Sequence, residues 1–397
     1  MKHFFEVQKY LLDNIFSEVR ELFYEIDFNE RLIGVIGPRG VGKSTILIKY
    51  LKSQDLSKSL YISADNIYFL EHNLFEFTLQ FKRDYDGDLL IIDEIHKYKN
   101  WQQELKNIYD SLPNMKIIFS GSSSIDLKGG NYDLSRRAKL YYLNGFTFRE
   151  FINYNYKLDI QKITLNDILI NHIKVSQNLP NIPIIKYFKE YLEIGYYPYY
   201  VNEKQKDNFK ILETINKTIY DDIANFYNLK TENLGYFKRI LNYLSIIDPG
   251  EVNSNKISKT LQIDNKTVNT YLEILENGGL IKFLLKDVYG YNIMKNTSKI
   301  YLDNTNILYA INSNILQEIK LGLLRETFFV NAISNSKNKI SFSKIGDFLV
   351  NDYIVEIGGE NKTFKQIKTK KENSFLVLDN IIVGEKNIIP LWLFGLI

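Results

Sequence analysis

The stretch Gly37-Pro38-Arg39-Gly40-Val41-Gly42-Lys43-Ser44 constrains this chain more than any other. It follows the apolar run Leu32 to Ile36 and leads into the apolar segment Ile46 to Leu51, so the order predicts strand, glycine loop, helix. The pattern G-x-x-x-x-G-K-[ST] has a physical reason at each position. The glycines allow a tight turn, backbone N–H groups cradle phosphate oxygens, Lys43 neutralises them, and the Ser44 hydroxyl suits Mg²⁺. Gly37, Pro38, Arg39, Gly40, Val41, Gly42, Lys43, Ser44 and Thr45 therefore form the candidate nucleotide-binding loop.

Asp93 and Glu94 extend the pattern. Leu89-Leu90-Ile91-Ile92 reads as a buried parallel strand that delivers this acidic pair to the carboxyl edge of a sheet, where open α/β sheets bind ligands. In this reading Asp93 holds Mg²⁺ and Glu94 polarises the attacking water of a hydrolysis. An acidic residue next to Asp93 also weighs against a nucleotide kinase, which binds an acceptor rather than activating water. A further strand, Lys116 to Phe119, ends at Ser120-Gly121-Ser122-Ser123-Ser124. Ser122 there suits either a sensor for the γ-phosphate or a Gly/Ser turn. Arg136 and Arg137 follow in Leu134-Ser135-Arg136-Arg137-Ala138, as a phosphate-reaching arginine or a solvated basic pair.

Length and charge set the frame. At 397 residues the chain exceeds one ordinary core, and two or three domains are expected. Fifty basic against 47 acidic residues leave a net charge of +3, so any nucleic-acid contact must come from a local patch. The absence of cysteine excludes disulfides and thiolate metal sites. With no continuous apolar region at the start and no membrane-length apolar run, a cytoplasmic protein without membrane contact is expected. Phe4, Val7, Leu11, Ile15, Val19 and Leu22 have helical spacing, which predicts one amphipathic helix over 4–23.

GPRGVGKST at 37–45, LLIIDEIHKYKNW at 89–101, IIFSGSSS at 117–124 and LSRRAKLYYLNGFTFREF at 134–151 together resemble the AAA+-related ATPases often called archaeal ATPases. YLEIGYYPYYV at 191–201, KIYLDNTNILY at 299–309 and GLLRETFFVN at 322–331 are similar to that family's downstream segments. The resemblance implies an α/β fold: an AAA+-like P-loop NTPase parallel sheet, then a helical linker, a winged helix and a restriction-endonuclease-like α/β domain. The implied boundaries are 1–155, 156–228, 229–295 and 296–397. It also implies ATP and Mg²⁺ as ligands, with Lys43, Ser44, Asp93 and Glu94 in the P-loop and Walker B roles and Arg137, a catalytic candidate beside Lys43 and Glu94, at the family's arginine after the sensor strand. Gly145 departs from it, standing where the family usually has proline.

Two downstream regions carry their own expectations. Segments 236–244, 257–261 and 268–275 read as three helices, with Asp264 an N-cap and Gly278-Gly279 a stop before the strand 280–285. That order suggests a winged helix, placing Lys266, Thr267 and Asn269 at the start of a recognition helix or on a packing module. The nuclease-like resemblance implies a second metal set of Glu326, Asp347 and Glu356. The usual E-x-K lysine is missing, since Glu356-Ile357-Gly358-Gly359 stands there, and Lys362 is the nearest replacement. Weak or absent cleavage is therefore expected. Lys362, Lys365, Lys368, Lys370 and Lys371 line a phosphate backbone or form a solvated face. Three functions stay open: an ATPase acting on DNA or RNA, an ATP-regulated metal-dependent nuclease, and a nucleotide-gated scaffold for a protein partner. Each is compatible with an oligomer.

Overall fold

The computed structural model describes residues 1–15, 20–122, 134, 136–201, 208–248, 254–286, 298–343, 345–364 and 373–397. It divides into two compact units, Met1–Gly145 and Phe146–Ile397. Among the described residues no helix is long and apolar enough to cross a membrane.

The first unit contains α1 (Lys2–Asp13), the single turn α2 (Leu22–Glu25), β1 (Leu32–Gly37), α3 (Lys43–Leu51) and β2 (Ser59–Ser63). It continues with α4 (Leu74–Tyr85), β3 (Leu89–Asp93), α5 (Trp101–Ser111), β4 (Lys116–Ser122) and β5 (Lys139–Tyr142). The strands form one sheet in the order β2-β3-β4-β1-β5, parallel throughout. Its strands are near-continuous apolar runs because helices cover both faces of such a sheet. Leu32, Leu90, Ile92, Ile117 and Phe119 are completely or almost completely buried. Since β4 lies between β1 and β3, its carboxyl end separates the glycine loop from the acidic pair, with Ser122 abreast of Gly37.

Two corrections concern this unit. The predicted helix over 4–23 is not one helix: α1 ends at Asp13, Arg20 is non-helical, and Val19 lies outside the described residues. The buried face of α1 is Phe4, Gln8 and Leu12, while Val7 is exposed. Gln8 decides this register. Its amide nitrogen donates to the Ser59 carbonyl at 3.1 Å and its oxygen accepts the Tyr61 N–H at 2.8 Å, satisfying the free edge of β2. The other correction is that Ser120 and Ser122 lie within β4, not in a turn, whereas Ser123 and Ser124 lie outside the described residues.

The second unit begins with α6 (Phe148–Tyr156), α7 (Leu165–Asn178), α8 (Ile184–Glu190), α9 (Pro198–Val201), α10 (Phe209–Lys217) and α11 (Ala224–Phe226). It goes on through α12 (Thr231–Ile246), α13 (Ser254–Leu261), α14 (Asn265–Asn277) and the antiparallel pair β6 (Ile281–Leu285) and β7 (Ser298–Leu302). Last come α15 (Thr305–Asn314), α16 (Leu321–Ser334), β8 (Ile340–Phe342), β9 (Phe348–Val350), β10 (Tyr353–Gly358), β11 (Ser374–Leu378) and β12 (Ile388–Pro390). Strands β8 to β12 form a sheet in chain order, antiparallel from β8 to β10 and parallel from β10 to β12. The boundary implied at 155 falls inside α6, and the one at 295/296 would cut the β6–β7 hairpin.

The two aromatic and polar stretches picked out in the sequence meet here. After α8 the helix widens into a π-helical turn, Tyr191–Gly195, which displaces backbone carbonyls from their usual partners. The fully buried Asn306 answers them, donating to the carbonyls of Tyr191 and Leu192 at 3.2 and 2.9 Å and accepting the Tyr196 N–H at 2.8 Å. A buried amide with every such bond made fixes the packing of 191–201 on α15.

Candidate functional site

The glycine loop is built by what its neighbours leave no room for. A Cβ at Gly37 would overlap the carbonyl oxygen of Leu143, whose N–H bonds the Ile36 carbonyl at 2.8 Å. Gly42, the residue before α3, has φ +96°, a left-handed conformation that glycine adopts without steric cost. The loop thus turns sharply and presents the N-terminus of α3, where unsatisfied N–H groups and the helix dipole favour an anion. Lys43 is buried at 6% exposure, and its ammonium donates to the carbonyls of Gly37 and Pro38 at 3.0 and 2.9 Å. Val41 is buried, while Arg39, Gly40, Ser44 and Thr45 are half-buried along the loop.

Asp93, at the end of β3, is 5% exposed. One of its oxygens accepts the Tyr61 hydroxyl at 2.6 Å and the other accepts the Ser120 hydroxyl. Burial beside Asp93 drives the Tyr61 phenol far above its ordinary value, so it stays a donor. Glu94 follows in the left-handed region at φ +53°, which costs a residue with a Cβ about 1–2 kcal/mol. Its N–H donates to Ser120 Oγ at 3.0 Å and to Asp93 Oδ1 at 3.2 Å. Its carboxylate lies 3.9 Å from Arg39 Nη2 of the glycine loop and 3.4 Å from His96 Nε2. Asp93, Glu94, Ser120 and the loop are thereby brought together.

Other expected residues fall elsewhere. Arg137 is held bidentately by Asp110 of α5, at 2.9 and 3.0 Å. Arg136 is exposed and Ser135 lies outside the described residues. Ser122 is buried, and its N–H donates to His96 Nδ1 at 3.3 Å. Sequence reasoning missed Arg20, Tyr61 and His96. Arg20 is 7% exposed and donates to the carbonyls of Val41, Asn144 and Gly145, the last two at 2.9 and 3.0 Å. It ties the loop to the segment that ends the first unit, across more than a hundred residues of sequence.

The second set is only partly assembled. Asp347, just before β9, and Glu356, on β10, are neighbours across an antiparallel hairpin. Lys362 lies between them, its Nζ 2.5 Å from Glu356 and 3.8 Å from Asp347. The position after Ile357 is glycine, and a Cβ there would overlap the stem of Lys362. Lys362 therefore occupies the space from which a side chain at 358 would grow. Glu326 on α16 accepts the Tyr301 hydroxyl at 2.6 Å and lies 3.8 Å from Lys299. Burial outweighs both partners and pushes its carboxyl up to about 7, and burial also raises Glu356. Among the described residues no three His, Cys, Asp or Glu side chains are placed to hold a metal ion, so the expected metal set of Glu326, Asp347 and Glu356 is not formed as such. Lys365, Lys368, Lys370 and Lys371 lie outside the described residues.

At the start of α14, Asp264 caps the helix by accepting the Thr267 N–H at 2.9 Å, and the Thr267 hydroxyl also donates to Asp264. Thr267 is therefore committed to the cap, leaving Lys266 and Asn269 exposed.

Residues 29–152 match the family model of an AAA domain, and residues 185–318 match that of a domain of unknown function, DUF8612. An uncharacterized protein of Methanocaldococcus jannaschii is 29% identical over 297 residues, covering 71% of this chain and 61% of that protein. The chain thus spans about three fifths of that relative's length. An uncharacterized protein of Haemophilus influenzae is 24% identical over 301 residues, 70% of this chain and 68% of that protein. Among solved structures, AMPPCP-bound DnaA of Aquifex aeolicus overlaps 68% of this chain and 86% of its own at 18% identity and a TM-score of 0.25. A Thermotoga maritima RuvB variant overlaps 81% and 96% at 15% identity and a TM-score of 0.28. The AAA-domain match, with the loop and sheet described above, supports an AAA+-related P-loop fold and a nucleotide-binding ATPase.

Proposed function

We propose that the first unit binds ATP with Mg²⁺ and hydrolyses it, and that nucleotide state shifts the second unit on a nucleic acid. The observation that carries the hydrolytic part is Glu94, its carboxylate beside Arg39 of the glycine loop and its backbone pinned to Ser120 and Asp93. The loop N–H groups at the start of α3 take the phosphates. Lys43 leaves the carbonyls of Gly37 and Pro38 to meet them. The oxygens of Ser44 and Asp93 are hard donors of the kind Mg²⁺ prefers, and the bound ion neutralises phosphate charge. Glu94 accepts a proton from the attacking water, a contribution worth about 10²- to 10⁴-fold in rate. Ser122 borders this site from β4. Arg137 acts on a phosphate only when its pair with Asp110 opens, in its own subunit or toward a neighbouring one in an oligomer.

In the second unit, α12 to α14 and the β6–β7 hairpin follow the order of a winged helix, with Lys266 and Asn269 free to face DNA or RNA. A cytoplasmic location suits such a role. The test is phosphate release with and without single- and double-stranded DNA. Stimulation by DNA, lost in Lys43→Ala, supports the reading. No DNA or RNA binding even at low ionic strength transfers it to a protein partner, since phosphate contacts strengthen steeply as salt falls.

The position of Lys362 favours a second reading, a metal-dependent nuclease on β9 and β10. Its ammonium lies beside Asp347 and Glu356, supplying from the following turn the lysine that Gly358 lacks. This reading expects Mg²⁺- or Mn²⁺-dependent cutting that Asp347→Ala abolishes. Absence of cutting in the unaltered chain leaves Lys362 as the internal counter-ion of an inactive fold.

A further inference from the structure

We infer that His96 is a positioning residue that sets the orientation of the Glu94 carboxylate and thereby the rate of hydrolysis. The inference rests on the proposed role of Glu94 as the base. His96 lies in the tight turn that follows β3, in which Lys97 N–H bonds the Glu94 carbonyl at 2.9 Å and Tyr98 N–H bonds the Ile95 carbonyl at 3.0 Å. Ile95 is fully buried and anchors that turn. The imidazole is directed back at the sheet, with a side-chain exposure of 6%.

The two ring nitrogens have different neighbours. Nδ1 faces the Ser122 N–H at 3.3 Å, a donor with no other role toward an imidazole than to be accepted. A nitrogen that accepts a hydrogen bond carries no proton, so in the neutral ring the proton sits on Nε2. Nε2 in turn faces Glu94 Oε2 at 3.4 Å. The histidine thus presents N–H to the carboxylate while its other edge is held by β4. Ser122 is abreast of Gly37, the first residue of the glycine loop. His96 consequently references the carboxylate to the strand that borders the nucleotide loop. Arg39 Nη2, at 3.9 Å from the same oxygen, defines the other side. A carboxylate with one oxygen so held has the second left to meet water, and small errors in such placement are costly to rate. In this inference His96 acts through Glu94, the group its Nε2 faces.

Two isosteric replacements separate the two edges of the ring. In His96→Gln the side-chain amide places a donor near the position of Nε2, whereas in His96→Asn it places an acceptor near Nδ1 and is too short for Glu94. Phosphate release and the affinity for a fluorescent ATP analogue are measured in His96→Gln, His96→Asn, His96→Ala, Glu94→Gln and the double variant His96→Ala/Glu94→Gln. Thermal unfolding of each variant controls for folding. Expected is a kcat loss of about 10- to 100-fold in His96→Ala and His96→Asn, with affinity within about 2-fold and His96→Gln within about 3-fold of the unaltered protein. In the Glu94→Gln background, adding His96→Ala should change kcat by less than about 2-fold, because a residue acting through another is non-additive with it. Unchanged kcat in His96→Ala overturns the inference. So do equal losses in His96→Gln and His96→Asn, or losses that multiply in the double variant. Undiminished turnover in Glu94→Gln, read in a separate variant, would instead remove the base assignment on which the inference stands.

Discussion

Glu326 offers a prediction whose size follows from burial. The residue is 9% exposed within α16, and burial lifts its carboxyl from the ordinary 4.5 to about 7 against the opposing pull of Lys299 and the Tyr301 hydroxyl. Between those two values the unfolded chain releases a proton that the folded chain keeps. The contribution of this group to stability is therefore complete below about 4.5 and is lost as pH rises through about 7. At about 1.4 kcal/mol per pH unit of separation the loss amounts to about 3 kcal/mol. Glu326→Gln keeps an oxygen for Tyr301 and cannot ionise. The variant should match the unaltered chain near pH 4.5 and exceed it by up to about 3 kcal/mol above pH 7. Urea unfolding from pH 4.5 to 8 measures this, followed by the fluorescence of the buried Trp392 with Trp101→Phe in both proteins, since the chain has 2 tryptophans. A stability difference that stays flat with pH would refute the reasoning. A variant less stable than the parent at pH 8 would show that Lys299 holds the carboxylate ionised.

Gly37→Ala should destabilise the first unit by about 1–3 kcal/mol and weaken nucleotide binding at least about 10-fold, because the new methyl overlaps the Leu143 carbonyl. Thermal unfolding and nucleotide titration check both. Arg20→Met keeps the aliphatic stem but leaves the carbonyls of Val41, Asn144 and Gly145 without their charged donor. It should cost about 1–3 kcal/mol and speed amide exchange over 41–45, read by hydrogen exchange. Wild-type exchange there would refute the tie between the loop and the segment 144–145.

Local signals in the chain were enough for the sheet and the loop. The runs Leu32 to Ile36, Leu89 to Ile92 and Lys116 to Phe119 are buried strands because a parallel sheet covered on both faces needs uninterrupted apolar residues. The acidic pair after β3 and the glycine pattern after β1 were legible for the same reason, each being set by its immediate neighbours. What was not legible depends on distant partners. Helical spacing favoured Phe4, Val7 and Leu11, yet Gln8 faces inward because it pairs with the edge of β2, more than 50 residues away. Tyr61, 32 residues from Asp93, reads in sequence as one more apolar strand position, and only the pairing of β2 with β3 reveals its hydroxyl at the carboxylate. Arg20 carries no periodic signal at all. Lys362 lay four residues beyond the slot where a lysine was expected, and the glycine at 358 that seemed a loss is what makes room for it. Arg137 shows the converse, a residue whose neighbours suggested phosphate and whose partner is Asp110.

The most direct test of the proposed chemistry is single-turnover and steady-state phosphate release in Glu94→Gln, with ATP affinity measured alongside. The expected result is ATP bound as tightly as by the unaltered chain and turnover lower by about 10²- to 10⁴-fold, since the amide cannot take the proton of the attacking water. Turnover equal to that of the unaltered chain would contradict the assignment of Glu94 as the base.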